Sequence, residues 1–402
     1  MEKFTQLFVQ SLKLALLILA LGIVLAVASD EAVSQAVSVY DSITEAKTYD
    51  EPTIPPRILI DRQEIKAIPI NNELLPLREI VEHIGGTVSW DSSSRRITIT
   101  IGRRTVRVRA GSYNAVVNGN QQQITVPLQN IDSTTAVSLC FLADTLGLGV
   151  GYKNNTFILS TNPATRIAVV TYHHILPDEK NTHFRDNIWT ISTQHFEEQM
   201  RYLYEGGYYT PTLDELEAFI MYGHRLPENS VMIHFDDGYY SNYVYAYPIL
   251  QRYGLKAVLF AITAESEALG DYQPPINHRI LQWASAYTLR QGKDVWETAS
   301  HTHNLHGLAT DERRTLLVTE TNENIVEDAL RSFDFVSNHR AFAYPKGQFN
   351  DTVVAALQEA GITMAFTVLR GYITPASDPM RLRRFMIYTD TTLAEFQRIV
   401  RG

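Results

Sequence analysis

The stretch Ile233–Gly238, with the sequence IHFDDG, places two carboxylates directly after an apolar run. Such a run is typical of a buried β-strand, and Asp and Gly favour a tight turn after it. Further along, Ser300–His306, with the sequence SHTHNLH, also follows a strand-like run. If both runs are parallel strands, their carboxyl ends meet at one mouth of a barrel. The two stretches therefore predict acids and imidazoles at a common edge.

One carboxylate and two imidazoles, from Asp237, His301 and His306, form a donor set suited to a divalent cation. This set leaves coordination positions open for water and substrate, as a hydrolytic metal centre requires. Asp236 would stand beside the metal, where it could take the proton of an attacking water. Each signal is weak alone, because Asp-Asp-Gly after an apolar run is often only a turn. His303, between the two candidate ligands, favours a supporting or surface position.

These two stretches resemble the first two motifs of the polysaccharide deacetylases, carbohydrate esterase family 4, which share the NodB-homology domain. The resemblance implies that Asp236 is the general base. It also implies that Asp237, His301 and His306 bind the metal, for which Zn²⁺ is favoured and Co²⁺ or Ni²⁺ are alternatives.

The third motif of that family resembles Phe342–Gly347, with the sequence FAYPKG. The resemblance implies that the backbone amide of Lys346 stabilises the oxyanion. Tyr344 and Pro345 are expected to contact substrate, with Tyr344 as a candidate sugar-stacking surface; a core position is the alternative for its ring.

The family's bracing arginine at the start of this motif is replaced by Ala343 in the simplest alignment. Three arginines near the C-terminus, Arg381, Arg383 and Arg384, are candidates for a substitute guanidinium, and the sequence does not choose among them.

The strand-like stretch Val170–Ile175, with the sequence VTYHHI, is similar to the start of the poly-β-1,6-N-acetylglucosamine deacetylases. That branch of the family has a permuted motif order, in which the general acid comes from this early strand. The resemblance therefore gives the acid role to His173. His174 is the competing candidate and is expected to point into the fold.

Length and charge place limits on function. The 402 residues suffice for two domains with apolar cores, and a single cysteine, Cys140, excludes an intrachain disulfide. The formal net charge of −9 argues against nucleic acid or a polyanionic substrate as partner. A neutral glycan is compatible with this balance.

Residues 1–28 predict export. Two lysines precede an uncharged apolar run, and Ala26–Ala28 has the small-x-small pattern of a cleavage site. The run is shorter than the roughly 20 residues of a typical spanning helix, and a signal peptide and an uncleaved anchor both stay open. Either one predicts an extracellular protein, secreted or anchored to the outer face of the cytoplasmic membrane through this segment alone. Residues 29–56 are polar, end in a proline cluster and predict a linker.

Residues 57–161 contain an internal repeat, in which Leu75–Trp90 aligns with Val137–Tyr152 at a constant offset of 62 residues. Each copy predicts a short amphipathic helix closed by glycine, followed by strands. This duplicated α+β domain resembles the copper amine oxidase N-terminal-like domain. The resemblance implies a stalk or cell-wall contact module, and a spacer that only packs is the alternative.

Residues 162–402 alternate apolar runs with stretches of helical spacing, which predicts a parallel barrel with outer helices. The candidate strands are Arg166–Thr171, Val231–Phe235, Lys256–Ile262, Val295–Ser300, Arg340–Tyr344, Thr363–Val368 and Phe385–Tyr388. The family resemblance implies a distorted (β/α)7 barrel of the α/β class, with its site at the strand C-terminal ends.

Together, the residues and the resemblance predict metal-dependent de-N-acetylation of an extracellular polysaccharide that contains N-acetylglucosamine. Two alternatives stay open. A non-haem iron oxygenase also uses two histidines and one carboxylate, but it would leave Asp236 without a role. A catalytically silent glycan-binding protein of the cell surface is favoured by Ala343 in place of the bracing arginine.

Overall fold

The computed structural model describes residues 56–70 and 73–402. The predicted signal or anchor and nearly all of the predicted linker lie outside the described residues. Within the described ranges, no helix is both long and apolar enough to cross a bilayer.

The chain folds into two compact units. The first runs from the N-terminal side to Pro163 and also takes in the short segment His224–Glu228. The second comprises Ala164–Gly223 and Asn229–Gly402. Sequence analysis expected one boundary near residue 161 and did not anticipate that His224–Glu228 would join the first unit.

The first unit is rich in short strands. They are β1 (Arg57–Ile60), β2 (Gln63–Glu64), β3 (Leu75–Pro76), β4 (Thr87–Asp91), β5 (Arg96–Ile101), β6 (Arg104–Val108), β7 (Asn114–Val117), β8 (Asn120–Gln123), β9 (Gln129–Ile131), β10 (Thr134–Val137), β11 (Gly149–Lys153) and β12 (Thr156–Ser160). Its helices are α1 (Leu77–His83) and α2 (Leu139–Phe141), which continues into a π-helical turn (Leu142–Leu146).

The two repeat copies begin their helices at Leu77 and Leu139, at the predicted offset. Their strands diverge. In the first copy β4 and β5 enter an antiparallel sheet with the order β4-β5-β6-β7-β8, whereas β11 and β12 of the second copy join β1 and β2 in a sheet with the order β11-β12-β1-β2. Both copies contribute to one apolar core, in which Ile80 and Leu142 are fully buried. The copies are thus related in sequence but occupy different sheets.

The second unit alternates strands and helices. Its strands are β13 (Ala168–Tyr172), β14 (His174–Leu176), β15 (Thr190–Ser192), β16 (Val231–Phe235), β17 (Ala257–Ala261), β18 (Trp296–Ser300), β19 (Ala341–Ala343), β20 (Met364–Phe366) and β21 (Phe385–Met386). Its helices are α3 (Thr193–Glu205), α4 (Leu213–Met221), α5 (Tyr247–Arg252), α6 (Thr263–Leu269), α7 (Ala286–Leu289), α8 (Asn322–Ser332), α9 (Asp351–Glu359) and α10 (Leu393–Arg401). A π-helical segment (Asn242–Ala246) precedes α5, and 3₁₀ turns span Leu316–Thr319, Pro345–Gly347 and Pro379–Arg381.

The seven predicted strands form a single parallel sheet within residues 164–402, all of which are described. Its order is β20-β19-β18-β17-β16-β13-β21. The sheet curls, and a short segment ties its two edges together. Leu382 bridges to Phe366 of β20, and Phe385 pairs with Val170 of β13. The prediction of a distorted barrel is confirmed.

Side-chain alternation on β16 sorts residues between the two faces of the curled sheet. Val231, Ile233 and Phe235 pack in the apolar layer shared with the outer helices. His234 points to the opposite face, where its ring contacts Phe260 and Phe366. Asp236, two residues on, follows the same alternation and faces the barrel interior at the carboxyl end of the strand.

Candidate metal centre and the catalytic carboxylate

The structure brings together the three side chains that the sequence singled out as metal ligands. Potential ligand atoms of Asp237, His301 and His306 all lie within 4.8 Å of one another. Oδ1 of Asp237 is 3.5 Å from Nε2 of His301 and 3.4 Å from Nε2 of His306. One carboxylate and two imidazoles at this spacing fit a divalent cation, with further coordination positions open.

His301 is oriented for this role by its other ring nitrogen. Its Nδ1 lies 2.7 Å from the carbonyl oxygen of Ala343, which can only accept a hydrogen bond. The ring therefore donates through Nδ1, which turns its Nε2 toward Asp237 and the candidate cation site. Ala343 supplies this contact through its backbone, at the end of β19.

The turn after β16 aims Asp237 at the two histidines. Asp237 and Gly238 both adopt positive φ angles, of 72° and 77°. A Cβ atom at Gly238 would come within 3.0 Å of the Cβ atom of Ala261, so the turn needs glycine there. Burial raises the pKa of Asp237, but hydrogen bonds from His301 and His306 outweigh it and hold the pKa well below its usual range.

A carboxylate on α8 orders the loop that carries both histidines. Oδ1 of Asp328 accepts from the backbone N–H of His303 at 2.7 Å, and Oδ2 accepts from the N–H of Asn304 at 2.6 Å. The His303 ring does not face the cation site, because its Nδ1 lies 3.0 Å from the Thr263 hydroxyl and its Nε2 lies 3.3 Å from Glu267. His303 thus supports the loop rather than the metal.

Arg384 holds Asp236 in a bidentate pair inside the barrel. Its Nη1 and Nη2 donate to the two carboxylate oxygens at 2.7 and 2.8 Å, and its Nε donates to the carbonyl of Thr367 at 2.9 Å. The Arg384 side chain is fully buried. Burial alone raises the pKa of Asp236, but the charge of Arg384, with His301 and the hydrogen bonds, lowers that pKa to about 2.

The structure thus chooses among the three arginines that the sequence left open. Arg381 pairs with Asp351 and Asp378 at the surface, and Arg383 donates to a backbone carbonyl. Arg384 lies on the segment that ties the barrel edges together, and from there its guanidinium reaches the acid that Ala343 leaves unbraced. Sequence reasoning had no signal that separates Arg384 from its neighbours.

His173 lies at the end of β13, beside the two acids. Its ring packs against Trp189 with centroids 4.4 Å apart, and its backbone carbonyl accepts from Nδ2 of Asn242 at 2.8 Å. Its Nδ1 is buried without a hydrogen-bond partner among the described residues. Burial lowers the pKa of His173, and the nearby charges of Asp237 and Asp236 act in the opposite direction. One ring nitrogen is thus uncommitted next to the site.

His174 points the other way, as the sequence analysis expected of the competing histidine. It is 4% exposed, and its Nδ1 lies 3.1 Å from the hydroxyl of Thr190. Its ring packs edge-on against Phe184 and Tyr239. Burial lowers the pKa of His174 to about 4, so the ring is neutral at physiological pH.

The third motif forms a tight turn at the end of β19. Lys346 adopts a left-handed conformation, with φ 53° and ψ 17°, between Pro345 and Gly347. A non-glycine residue adopts this conformation only where its surroundings enforce it. The turn therefore fixes the direction of the Lys346 backbone amide.

The structure places the Tyr344 ring in the core, which is the alternative that the sequence left open for it. That side chain is fully buried, stacks on Phe349 at 4.8 Å and donates its hydroxyl hydrogen to the carbonyl of Met380 at 2.9 Å. It belongs to the apolar layer between the sheet and the outer helices. Pro345 is also buried. Both residues shape the turn, and the Tyr344 ring has no exposed face on which a sugar could stack.

Comparisons with known proteins agree with this architecture. A family model described as the copper amine oxidase N-terminal domain matches residues 63–160, and one described as polysaccharide deacetylase matches residues 223–365. The poly-beta-1,6-N-acetyl-D-glucosamine N-deacetylase of Staphylococcus epidermidis is 28% identical over 214 residues, which cover 50% of this chain and 69% of the relative. Its namesake from Staphylococcus aureus strain MSSA476 is 29% identical over 209 residues, with the same two coverages.

A likeness of fold extends to a solved structure. IcaB from Ammonifex degensii matches with a TM-score of 0.50 and 22% sequence identity, over 60% of this chain and 99% of that chain. Residues 223–365 therefore match the polysaccharide deacetylase family and residues 63–160 match the copper amine oxidase N-terminal domain, and the chain is similar to the poly-beta-1,6-N-acetyl-D-glucosamine N-deacetylases.

Proposed function

We propose that this chain hydrolyses the N-acetyl groups of an extracellular polysaccharide that contains N-acetylglucosamine, in a metal-dependent reaction. The single observation that carries the proposal is the pairing of Asp236 with Arg384 immediately beside the Asp237, His301 and His306 cluster. A cation site alone is compatible with many reactions. A buried, ionised acid held next to it is what a hydrolase requires.

Asp237, His301 and His306 would hold the cation, with Zn²⁺ favoured and Co²⁺ or Ni²⁺ as alternatives. A cation there would act as a Lewis acid and make a water nucleophilic near neutral pH. Asp236 takes the proton of the attacking water. Arg384 keeps this carboxylate ionised and fixes its direction, because both oxygens are held by one planar guanidinium.

The chain's own groups complete the reaction around the amide carbon. The attacking water forms the new C–O bond, and the Lys346 backbone amide donates to the oxyanion, a contact worth about 2.7–4 kcal/mol in another hydrolase. His173 gives a proton to the nitrogen as the C–N bond breaks. Acetate and a glucosamine amine leave. The uncommitted Nδ1 of His173 and its position beside both acids support this assignment.

The alternative of a silent glycan-binding protein rested on the lost arginine at position 343. Arg384 provides an equivalent guanidinium, which removes the main support for that alternative. An iron oxygenase would have no use for an ionised acid braced beside its metal. The relatives named above support a glycan substrate, and the apolar segment within residues 1–28 supports an extracellular location.

The test is acetate release by the purified chain from N-acetylglucosamine oligomers, with Zn²⁺, Co²⁺ or Ni²⁺ supplied after chelation. We expect Asp236→Asn to bind metal as the wild type does and to lose turnover, and His306→Ala to lose both. His173→Ala should lower turnover by about 10²–10⁴-fold, the usual contribution of general acid catalysis, whereas His174→Ala serves as its neighbouring control. Retention of glycan without acetate release under any metal would overturn the proposal in favour of the silent protein.

A further inference from the structure

The first unit contains a strongly basic segment that the net charge of the whole chain conceals. Residues 95–109 carry six arginines and no acid, within a chain whose formal net charge is −9. The net charge of the whole chain argues against a polyanionic partner, but that charge is summed over both units. Local charge decides what a particular surface attracts.

The fold presents Arg96 and Arg107 on one face of the five-stranded sheet, whereas Arg104 follows the alternation of the buried face. On β6, Val106 and Val108 are buried in the core, whereas Thr105 and Arg107 point to the opposite face. Arg103, in the turn that precedes β6, lies at the edge of this face. A groove of about 320 Å³ lies along this face and is lined by Arg103, Thr105, Arg107, Val116, Asn118 and Gly119.

The arginines of this face have no acidic partner. Among the described residues, no ion pair forms at Arg96, Arg103 or Arg107, whereas Arg57 and Arg78 of the same unit pair with Glu64 and Glu82. All three unpaired side chains are exposed.

Among the described strand positions of this face, one is an acid. It is Asp91, which lies opposite Arg96 at a corner of the sheet. Its carboxylate oxygens accept from the hydroxyls of Ser93 and Ser94, both at 2.6 Å. The guanidinium groups in the groove are therefore uncompensated.

We propose that this face, between β4 and β8, docks a linear polymer that carries repeated phosphate groups. The guanidinium fork matches phosphate oxygens in a bidentate manner, and the cations of the groove are arginines. Arg103, Thr105 and Arg107 line the same groove, so the two guanidinium groups could each bind a different phosphate of one extended chain, with the Thr105 hydroxyl beside them.

Other occupants fit the face less well. Sequence-independent binding of single-stranded nucleic acid uses aromatic rings as stacking platforms, and the register positions of this face hold none. Trp90 lies opposite Ile97 and thus belongs to the other face. A deacetylated glucosamine polymer is cationic and would be repelled. The proposal is therefore independent of the deacetylase site, and its failure would leave that activity untouched.

The experiment measures binding of the full chain to immobilised long-chain polyphosphate at 50 and 200 mM salt. We expect Arg103→Ser/Arg107→Ser to weaken binding at least tenfold at 50 mM salt. It should also lower the slope of log affinity against log salt by about 1.5, because two fewer phosphates are neutralised. Acetate release should be unchanged in this variant, and its circular dichroism spectrum and thermal unfolding should match those of the wild type, which shows that the first unit is folded.

The matched control is Arg57→Ser/Arg78→Ser, which removes the same charge from the same unit but from ion-paired positions. An equal loss of binding in the control would overturn the proposal, because it would mean that only net charge matters. So would the absence of polyphosphate binding by the wild type at 50 mM salt. Binding to poly-glutamate, phosphatidylglycerol vesicles or oligo(dT) as tight as binding to polyphosphate would overturn the assignment to a phosphate polymer.

Discussion

The two ends of the barrel carry carboxylates in opposite electrostatic settings. At the carboxyl end of the strands, Asp236 faces Arg384, and Asp237 faces two imidazoles. At the amino end, Glu297 on β18 lies near Asp214 and Glu215, and its carboxylate accepts from the backbone N–H of Leu213 at 3.2 Å. Carboxylates are thus held by donors and cations at one end and lie close to other acids at the other.

The pKa directions follow from these surroundings. Burial alone would raise the pKa of every one of these groups. For Asp236 and Asp237 the partners outweigh burial, and both pKa values are lowered. For Glu297, burial and the charge of Asp214 act together and raise the pKa to about 8. Burial of a carboxylate therefore does not by itself mark a functional site, because the groups around the carboxylate decide its charge.

The amino end has one arginine for several acids. Arg340 pairs with Asp214 and lies 3.4 Å from Glu217, which is 1% exposed. Burial raises the pKa of Glu217 despite Arg340 and a hydrogen bond from Thr363. Protons rather than guanidinium groups balance part of the charge here, so this end is expected to respond to pH through stability and the other end through catalysis.

Among the variants that test the difference between the two ends, Arg384→Gln should have the largest effect on turnover and on folding free energy. The variant leaves the Asp236 carboxylate buried without its cation, which typically costs about 3–5 kcal/mol of folding free energy. Turnover should fall by orders of magnitude, because the base is neither held nor kept ionised. Urea denaturation and acetate release measure the two effects.

The control at the other end is Arg340→Gln, which also removes a part-buried arginine from a pair of acids. Turnover of this variant should stay near the wild-type value. Equal losses of turnover in the two variants would contradict the division of roles between the ends.

Sequence reasoning reached the strands and the cation ligands for a physical reason. Each buried parallel strand is a short apolar run, and the residues just after it, such as Asp236 and Asp237, face the mouth of the barrel. Sequence reasoning failed where a contact depends on how the barrel closes in three dimensions. Arg384 and Asp236 are 148 positions apart and meet only because the barrel edges are tied together. Some closer contacts are local: helix α4 begins with a capping box between Thr212 and Glu215, a signal that the sequence alone carries.

Asp328 is a third acid at the carboxyl end of the barrel, and it binds backbone N–H groups rather than a cation. It went unnoticed in the sequence because its helix meets the histidine loop only in the folded chain. Asp328→Asn presents an amide NH2 group to one of the two backbone N–H groups of His303 and Asn304, and that group loses its acceptor. We expect about tenfold weaker metal binding, a loss typical of supporting contacts around metal ligands.

Titration of the chelated chain with Zn²⁺ against a fluorescent competitor measures this loss. Glu327→Gln is the matched control, because it removes the same charge from the exposed neighbour on α8. Unchanged affinity in Asp328→Asn, or an equal loss in Glu327→Gln, would mean that the loop holds its shape without this carboxylate.

Glu297→Gln is the smallest expected change and tests the amino end alone. A pKa raised from 4.5 to about 8 means that, between these pH values, the folded chain keeps a proton that the unfolded chain has released. The folded state then binds more protons, so folding stability falls as pH rises through this window. The glutamine side chain cannot ionise, so the variant should lose this part of the dependence of folding stability on pH.

We expect the Glu297→Gln variant to be more stable than the wild type by about 1 kcal/mol at pH 8, after discounting for partial exposure to water, and no more stable at pH 4.5. Urea denaturation at both pH values measures the difference in folding free energy between the two proteins. If the folding free energy changes equally with pH in both, Glu297 ionises normally and the contrast between the barrel ends does not hold.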